Sequence, residues 1–258
     1  MNEIVLSRFK TLELTPNGKR EISSLSDVDN GFTAKILDAF DGLTFSAPTR
    51  EAKAMTEFLQ RAKSDQISFG NYPDPGACLS AWRSSGSGQK QSTQQKPVNR
   101  LALPLINVSR NIGYSYYVGD HQRDEYDFGE LMDDKEQIIA VISMLPVQLD
   151  FKVWALAADR ETLSYMTSAI GSWMRPWHTQ GQTAFSCTSS LCGIAVDVDG
   201  WLDSPKAIDW SDISFTPQEE RVYAAECQIS VITQQLVAYM VDSRVIRHET
   251  VLRGDHGR

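Results

Sequence analysis

Two neighbouring segments of the chain carry hydrophobic residues with a clear structural period. From Val147 to Ala155 every second residue is apolar, which is the pattern of a strand with one buried face and one face in solvent. From Leu163 to Trp173 apolar residues recur at spacings of three and four, which indicates an amphipathic helix. Asp159 can cap this helix, and Glu161 suits its positive N-terminal end. The pattern predicts a strand and a helix packed together in an α+β layer.

Two further elements have a usable pattern. A helix is predicted after Pro48, because apolar residues between Ala52 and Ala62 line one face. The last clear strand is predicted from Val222 to Thr233. Its apolar face comprises Tyr223, Ala225, Cys227, Ile229 and Val231.

Other apolar runs are shorter and predict extended segments. One covers positions 101–108, where Pro104 favours an edge strand or a bulge. Another covers positions 185–198. In the opening region, the turn formers Asp29-Asn30-Gly31 are predicted to lie between two strands.

Two polar segments interrupt these elements within a single predicted domain, residues 1–258. Residues 84–97 are rich in Gln and Ser and contain no large apolar side chain, which predicts a flexible loop. Residues 120–136 hold eight acidic and two basic residues, which predicts a solvated acidic excursion between strands. Both segments are candidate interface or lumen elements. The candidates are Gln91, Gln94, Gln95, Asp124, Glu125, Asp127, Glu130, Asp133 and Asp134.

Composition restricts the function classes. The 258 residues are 41% hydrophobic and carry a net charge of −8. This charge argues against a broad surface that neutralises nucleic-acid phosphates. The sequence has no apolar run of about 18 residues and no apolar N-terminal segment, so we expect neither a membrane span nor a signal peptide. The four cysteines are too sparse for a disulfide framework and are interpreted as reduced thiols.

No motif predicts a catalytic, cofactor or metal site. The glycine-rich segment at residues 86–90 lacks the second half of a phosphate loop. Serine-hydrolase and zinc-peptidase signatures are absent. The nearest zinc-ligand grouping has no standard spacing, so buried thiols are the preferred interpretation. A partial calcium-loop pattern is interpreted as a turn. These two groupings are His178 with Cys187 and Cys192, and Asp197 with Asp199 and Asp203.

Three tryptophans lie beside predicted turns. Trp177, Trp201 and Trp210 follow or precede Pro, Gly, Ser or Asp. Large amphipathic aromatic side chains anchor protein interfaces, and they also close the ends of a core. Both roles stay open for these three residues, and we include them among the interface candidates.

The order of three segments resembles the neck, or tail-terminator, family of contractile-tailed bacteriophages. The segments are LPLINV from Leu103, PVQLDFKVWALAADRETL from Pro146 and RVYAAECQISVITQQL from Arg221. In that family a short proline-containing strand precedes a polar excursion. A proline-led strand then runs into an acidic turn and a helix, and a late strand pairs back onto the sheet.

The resemblance implies an α+β subunit with a mainly antiparallel sheet flanked by helices, and with long loops or arms. It further implies a hexameric ring in the virion, assembled in the host cytoplasm, that ends tail tube and sheath polymerisation. Such a ring contacts the head connector and lets genomic DNA pass through its lumen. No enzymatic activity and no cofactor are implied.

Two alternatives stay open. The chain can be a baseplate or other tail-completion adaptor, which solution mass would distinguish from a ring. It can also be a small-ligand enzyme, if His178 or His248 lies beside a carboxylate in a deep pocket.

Overall fold

A computed structural model describes residues 3–45, 50–84, 103–118, 124–175, 184–203, 208–216 and 221–253. These residues form an α+β fold in which four helices flank a mostly antiparallel sheet, as expected. The sheet is also curled and resembles a half-barrel, which the sequence did not predict. The strands are β1 (Glu3–Ile22), β2 (Ile67–Phe69), β3 (Leu105–Tyr116), β4 (Glu125–Met132), β5 (Ile138–Ala157), β6 (Ala184–Leu191), β7 (Ile194–Leu202), β8 (Ser211–Asp212) and β9 (Tyr223–Arg253). The helices are α1 (Leu25–Asp38), α2 (Arg50–Leu59), α3 (Pro75–Ser84) and α4 (Arg160–Trp173).

Two long strands, β5 and β9, form the centre of the sheet. They pair antiparallel without interruption from Ala140 opposite Met240 to Ala157 opposite Tyr223. The other edge of β5 pairs with β3 and then with β4. The other edge of β9 pairs in turn with β8, β7 and β1, and β7 pairs with β6. The short β2 pairs in parallel with β3, which makes the sheet mixed.

The main core lies between one face of the sheet and the helices α1, α2 and α4. The predicted alternation on β5 is confirmed, because all five odd-numbered residues from Val147 to Ala155 are buried in this core. The helix side contributes Val28, Phe32, Ile36, Met55, Phe58, Met166 and Ile170. Phe32 stacks on Phe151 with ring centroids 4.2 Å apart, which joins α1 to the central strand.

The opposite face of the sheet is not wholly in solvent, contrary to the expectation for β5. The helix α3 covers one end of that face and buries Trp154 and Leu156 against Cys78 and Leu79. The indole Nε1 of Trp154 donates a 2.7 Å hydrogen bond to Glu226 on β9. Trp154, at an even-numbered position of β5, is therefore buried and hydrogen-bonded on this face, because a second small core lies there.

The helix predicted after Pro48 and the helix predicted after Asp159 are confirmed as α2 and α4, although α2 ends at Leu59, before the predicted Ala62. Asp159 is the N-cap of α4, as expected, since its carboxylate accepts a 2.7 Å hydrogen bond from the backbone N–H of Thr162. One prediction about the chain before β3 is wrong, because Asp29-Asn30-Gly31 lies inside α1 rather than between strands. The helix α3 lies where the sequence pattern predicted no element.

The expectation of an edge strand or a bulge after Pro104 is confirmed in part. The strand β3 begins at the next residue and pairs with both β2 and β5 as far as Val108. Beyond Val108 its outer edge has no described partner, and its register with β5 shifts between Arg110 and Tyr114.

Two other predictions about strands need correction. The extended segment at 185–198 is a hairpin of β6 and β7, which turns at Cys192 and Gly193 with positive φ angles of 53° and 79°. The predicted turn at Asp197–Asp203 is mostly strand, since β7 continues to Leu202.

The acidic excursion is also more ordered than predicted. Its residues 125–132 form β4, which pairs antiparallel with β5 and buries Leu131 in the core. A tight turn at Asp133 then leads into β5, because the Asp133 carboxylate accepts hydrogen bonds from the N–H groups of Lys135 and Gln137. The acidic residues therefore decorate a β-hairpin.

The two terminal strands form a ribbon that extends beyond the rest of the sheet. Among the described strands, β9 pairs with β1 alone from Val241 to Arg253. This ribbon joins the first and last elements of the chain, which the sequence pattern did not indicate.

Candidate functional site

An apolar surface lies along one edge of the sheet. Beyond Val108, the outer edge of β3 and the whole outer edge of β4 have no strand partner in the described part of the chain. Seven of the ten large apolar side chains that the described residues expose belong to this stretch. We term them the aromatic edge, which comprises Ile112, Tyr114, Tyr116, Val118, Tyr126, Phe128 and Met132.

The aromatic edge combines exposure with local order. Tyr114 and Tyr116 form an edge-to-face pair with ring centroids 5.8 Å apart. A hydrogen bond with Tyr114 raises the pKa of Tyr116, and Asp124 adds to this shift. On β4 the side chain of Tyr126 is 72% exposed. Contiguous exposed aromatic residues of this kind mark interaction surfaces.

Acidic side chains surround the aromatic edge. We term residues 124–136 the acidic hairpin, which contains seven acidic residues and one lysine. The predicted candidates Asp124, Glu125, Glu130 and Asp134 are exposed there. Asp133 is only partly exposed and has a structural role in the turn. The structure thus brings four of the predicted acidic candidates together on one exposed element.

A groove of about 490 Å³ lies elsewhere on the molecule, between α4, β8 and the start of β9. Arg160 is the first residue of α4, and Arg221 precedes β9; both are exposed. The guanidinium of Arg221 lies 5.0 Å from the ring centroid of Tyr223. We term this the arginine groove. Its lining includes Arg160, Ser164, Thr167, Trp210, Arg221 and Tyr223.

Asp212 also lines the arginine groove, but its carboxylate already has partners. The hydroxyl and the backbone N–H of Ser214 donate hydrogen bonds of 2.5 and 2.9 Å to Asp212. These bonds lower the pKa of Asp212, and the nearby Arg221 and Arg160 lower it further. Neither arginine forms a salt bridge with another described residue. Among the described residues, the groove therefore presents two guanidinium groups that form no salt bridge.

Trp210 adds a buried donor to this region. Its indole Nε1 is buried and has no hydrogen-bond partner among the described residues. The atom lies 3.9 Å from the position that a β carbon would take at Gly171 on α4. A second groove of about 340 Å³ opens there, with Arg175, Ser168 and Ser172 in its lining. A buried N–H without an acceptor costs free energy, so an acceptor supplied by a partner would be favoured.

The remaining candidates differ in position. Trp210 lies in the arginine groove, whereas Trp201 lies within β7, half-buried and paired with Ala184 and Ile232. Trp201 is therefore part of the sheet, one residue before the end of β7. Gln91, Gln94, Gln95 and Trp177 lie outside the described residues, as does the side chain of Asp127.

The sequence analysis missed the two arginines. Arg160 and Arg221 are separated by 61 positions and lie in no motif. Only the packing of α4 against the sheet brings them to one groove. An arginine directly after the predicted cap Asp159 was the one available signal, because helix N-termini normally favour acidic residues.

The thiols and carboxylates considered as metal ligands lie apart from these surfaces. Cys187 and Cys192 are free thiols on the β6–β7 hairpin. Burial raises the pKa of Cys187 to about 11 and also raises the pKa of Cys192. His178 lies outside the described residues. Within the described ranges no group of three or more His, Cys, Asp or Glu side chains is arranged to hold a metal ion.

Comparison with known proteins adds no identification. No model of a known protein family matches the chain, and no curated protein matches it either. The resemblance to the neck family therefore stays a hypothesis that rests on the three sequence segments. Among the described helices, none is both long enough and apolar enough to cross a membrane.

Proposed function

We propose that this protein is a structural virion subunit, a tail terminator that forms a ring at the neck of a contractile-tailed bacteriophage. The ring ends polymerisation of the tail tube and sheath and joins the tail to the head connector. The proposal follows from the resemblance of the segments that start at Leu103, Pro146 and Arg221. The observation that carries it is the aromatic edge.

The aromatic edge favours assembly for two physical reasons. An unpaired strand edge presents backbone N–H and C=O groups that another chain can bind. Burial of exposed aromatic side chains against a partner lowers the free energy of the complex. Because seven of the ten exposed large apolar side chains cluster here, this edge is the best-supported contact surface among the described residues.

The charge of the chain suits a subunit around a DNA passage. The net charge of −8 disfavours tight binding to phosphates, so genomic DNA can pass without sticking. We place six copies in the ring, with tail tube, sheath and head connector proteins as partners and no membrane. The proposed site of action is the virion, after assembly in the host cytoplasm, and the subunit has no catalytic role.

The test mixes the protein with purified tail tubes and images the sample by negative stain, with light scattering to measure solution mass. We expect rings that cap one tube end. The double variant Tyr126→Lys with Phe128→Lys should abolish capping, because it places two charges in the proposed contact. Ile22→Lys is the control, since Ile22 is 50% exposed on β1, and β9 and β5 separate β1 from β4.

Other outcomes would point to the alternatives. Binding at the baseplate end of the tube would favour a tail-completion adaptor. Absence of tube binding combined with a monodisperse monomer would contradict the proposal. Turnover of a small ligand that depends on His178 or His248 would replace it with an enzymatic function.

A further inference from the structure

The arginine groove and the acidic hairpin carry opposite charge on the same molecule. The groove presents Arg160 and Arg221 without salt-bridge partners in the described residues, and Asp212 is occupied by Ser214. The acidic hairpin presents exposed Glu125 and Glu130. Surfaces of opposite sign steer association and set the register of an interface.

The side-chain chemistry of the two surfaces also matches. Arginine guanidinium groups bind carboxylates with two parallel hydrogen bonds. The buried N–H of Trp210, which also lines the groove, has no acceptor among the described residues. The aromatic ring of Tyr223 lines the groove, and Tyr126 and Phe128 are exposed on the hairpin. Aromatic and arginine residues are the usual anchors of protein interfaces.

The two surfaces lie toward opposite ends of β5 and on its opposite edges. The hairpin residue Glu130 pairs with Val141 near the start of β5, on one edge of that strand. Ala225, in the groove lining, pairs with Ala155 near the end of β5, on its other edge. The stretch of β5 between them is about 45 Å long at ~3.3 Å per residue. This separation along the sheet favours a contact between two copies over a contact within one subunit.

We infer that the acidic hairpin of one copy docks into the arginine groove of the next copy. This inference rests on the proposed ring and names the contact that closes it. The contact joins two different patches, so a pair of copies keeps one free groove and one free hairpin. Repetition of such a head-to-tail contact produces a closed ring when the rotation between copies closes.

The test uses two charge-reversed proteins. Variant A carries Arg160→Glu and Arg221→Glu in the groove, and variant B carries Glu125→Arg and Glu130→Arg on the hairpin. Each variant alone should associate at least about 10-fold more weakly than the wild type, because like charges then face each other. An equimolar mixture should recover association, since every A–B contact again pairs opposite charges. The mixture should also regain tube capping.

A control variant separates this effect from a general change in charge. Lys53→Glu with Glu57→Lys reverses an exposed pair on α2, where the two side chains lie 4.0 Å apart and are 77% and 58% exposed. This control should associate like the wild type. Circular dichroism melting of A and B should match the wild type, because both variants change exposed side chains.

The outcomes distinguish the inference from the proposed function. Normal association and capping by variant A would overturn the inference and leave the tail-terminator proposal intact. If A fails to cap tubes and B does not rescue it, the groove binds an acidic partner protein and not a second copy. A wild-type protein that neither associates nor caps tubes would overturn both.

Discussion

The Nε of Arg110 on β3 lies 2.6 Å from Oδ1 of Asp29 on α1, and the two side chains are only 19% and 9% exposed. This ion pair links the first helix to the strand that continues into the aromatic edge. Burial raises the pKa of Asp29 above its ordinary value of 3.8, and Arg110 opposes that rise by hydrogen bonding and by its charge. The arginine therefore offsets part of the cost of burying this carboxylate.

Replacement of Arg110 should destabilise the fold in a pH-dependent way. Near pH 7, Arg110→Met leaves a buried carboxylate without a countercharge, which costs about 3–5 kcal/mol. The pKa of Asp29 then rises further. Because a raised folded-state pKa favours folding at low pH and this contribution is lost as pH rises, the deficit should shrink as pH falls through that pKa. Urea denaturation at several pH values measures the effect.

Two controls accompany this experiment. Asp29→Asn combined with Arg110→Met removes both charges and should recover most of the lost stability near pH 7, with little pH dependence. Lys53→Met breaks an exposed ion pair and should change the free energy of unfolding by less than about 1 kcal/mol. An Arg110→Met deficit that stays constant with pH would contradict the role assigned to Asp29.

Alanine at Gly31 or Gly200 should destabilise the protein by about 1–3 kcal/mol each, because both sites lack room for a β carbon. Gly200 on β7 lies against the ring of Phe185, its cross-strand partner. A β carbon at Gly31 on α1 would stand 2.8 Å from the β carbon of Cys187. Thermal unfolding measures both variants. Gly129→Ala is the control, since no atom lies within 4 Å there, and an equal loss in all three would argue against steric conflict.

Removal of the α4 cap should cost about 1 kcal/mol of unfolding free energy. The Asp159 carboxylate accepts hydrogen bonds from the N–H and the hydroxyl of Thr162 at 2.7 and 2.8 Å, and Asp159→Ala removes both. Asp159→Asn keeps an acceptor and should retain most of the stability. Chemical denaturation measures the free energy of unfolding of both variants. Equal losses of stability would mean that the negative charge of Asp159 matters more than its hydrogen bonds.

The four thiols should react slowly in the folded protein. Burial raises the pKa of Cys78 and of Cys227 to about 12, so few thiolates form at mildly alkaline pH. Cys192, at the β6–β7 turn, is partly exposed and should react first with a thiol reagent. Cys192→Ser should remove this fastest phase, whereas denaturant should release all four thiols. A fast phase that persists in Cys192→Ser would contradict this assignment.

The comparison of sequence and structure is most instructive in α1. Val28, Phe32 and Ile36 are spaced for one helix face, but Asp29-Asn30-Gly31 indicated a turn. Two of these residues are explained by distant partners. Asp29 pairs with Arg110, 81 positions away, and Gly31 allows the helix to approach β6 closely. Local turn preference is weak, and tertiary contacts override it.

The prediction for the acidic hairpin was wrong for a different reason. Its residues are mostly exposed on both faces, so they provide no regular apolar alternation. Pairing with β5 makes them a strand, and that pairing depends on a partner strand whose position the local pattern does not encode.

The elements predicted correctly are those that bury a regular set of side chains. The strand from Val147 to Ala155, the helix α4 and its cap follow from residue spacing, because a buried face imposes the period of its own backbone on the sequence. Distance in space does not follow from distance along the chain. The free edge of β3 and β4, the β1–β9 ribbon and the meeting of Arg160, Trp210 and Arg221 therefore arise from strand pairing and helix packing across the whole fold.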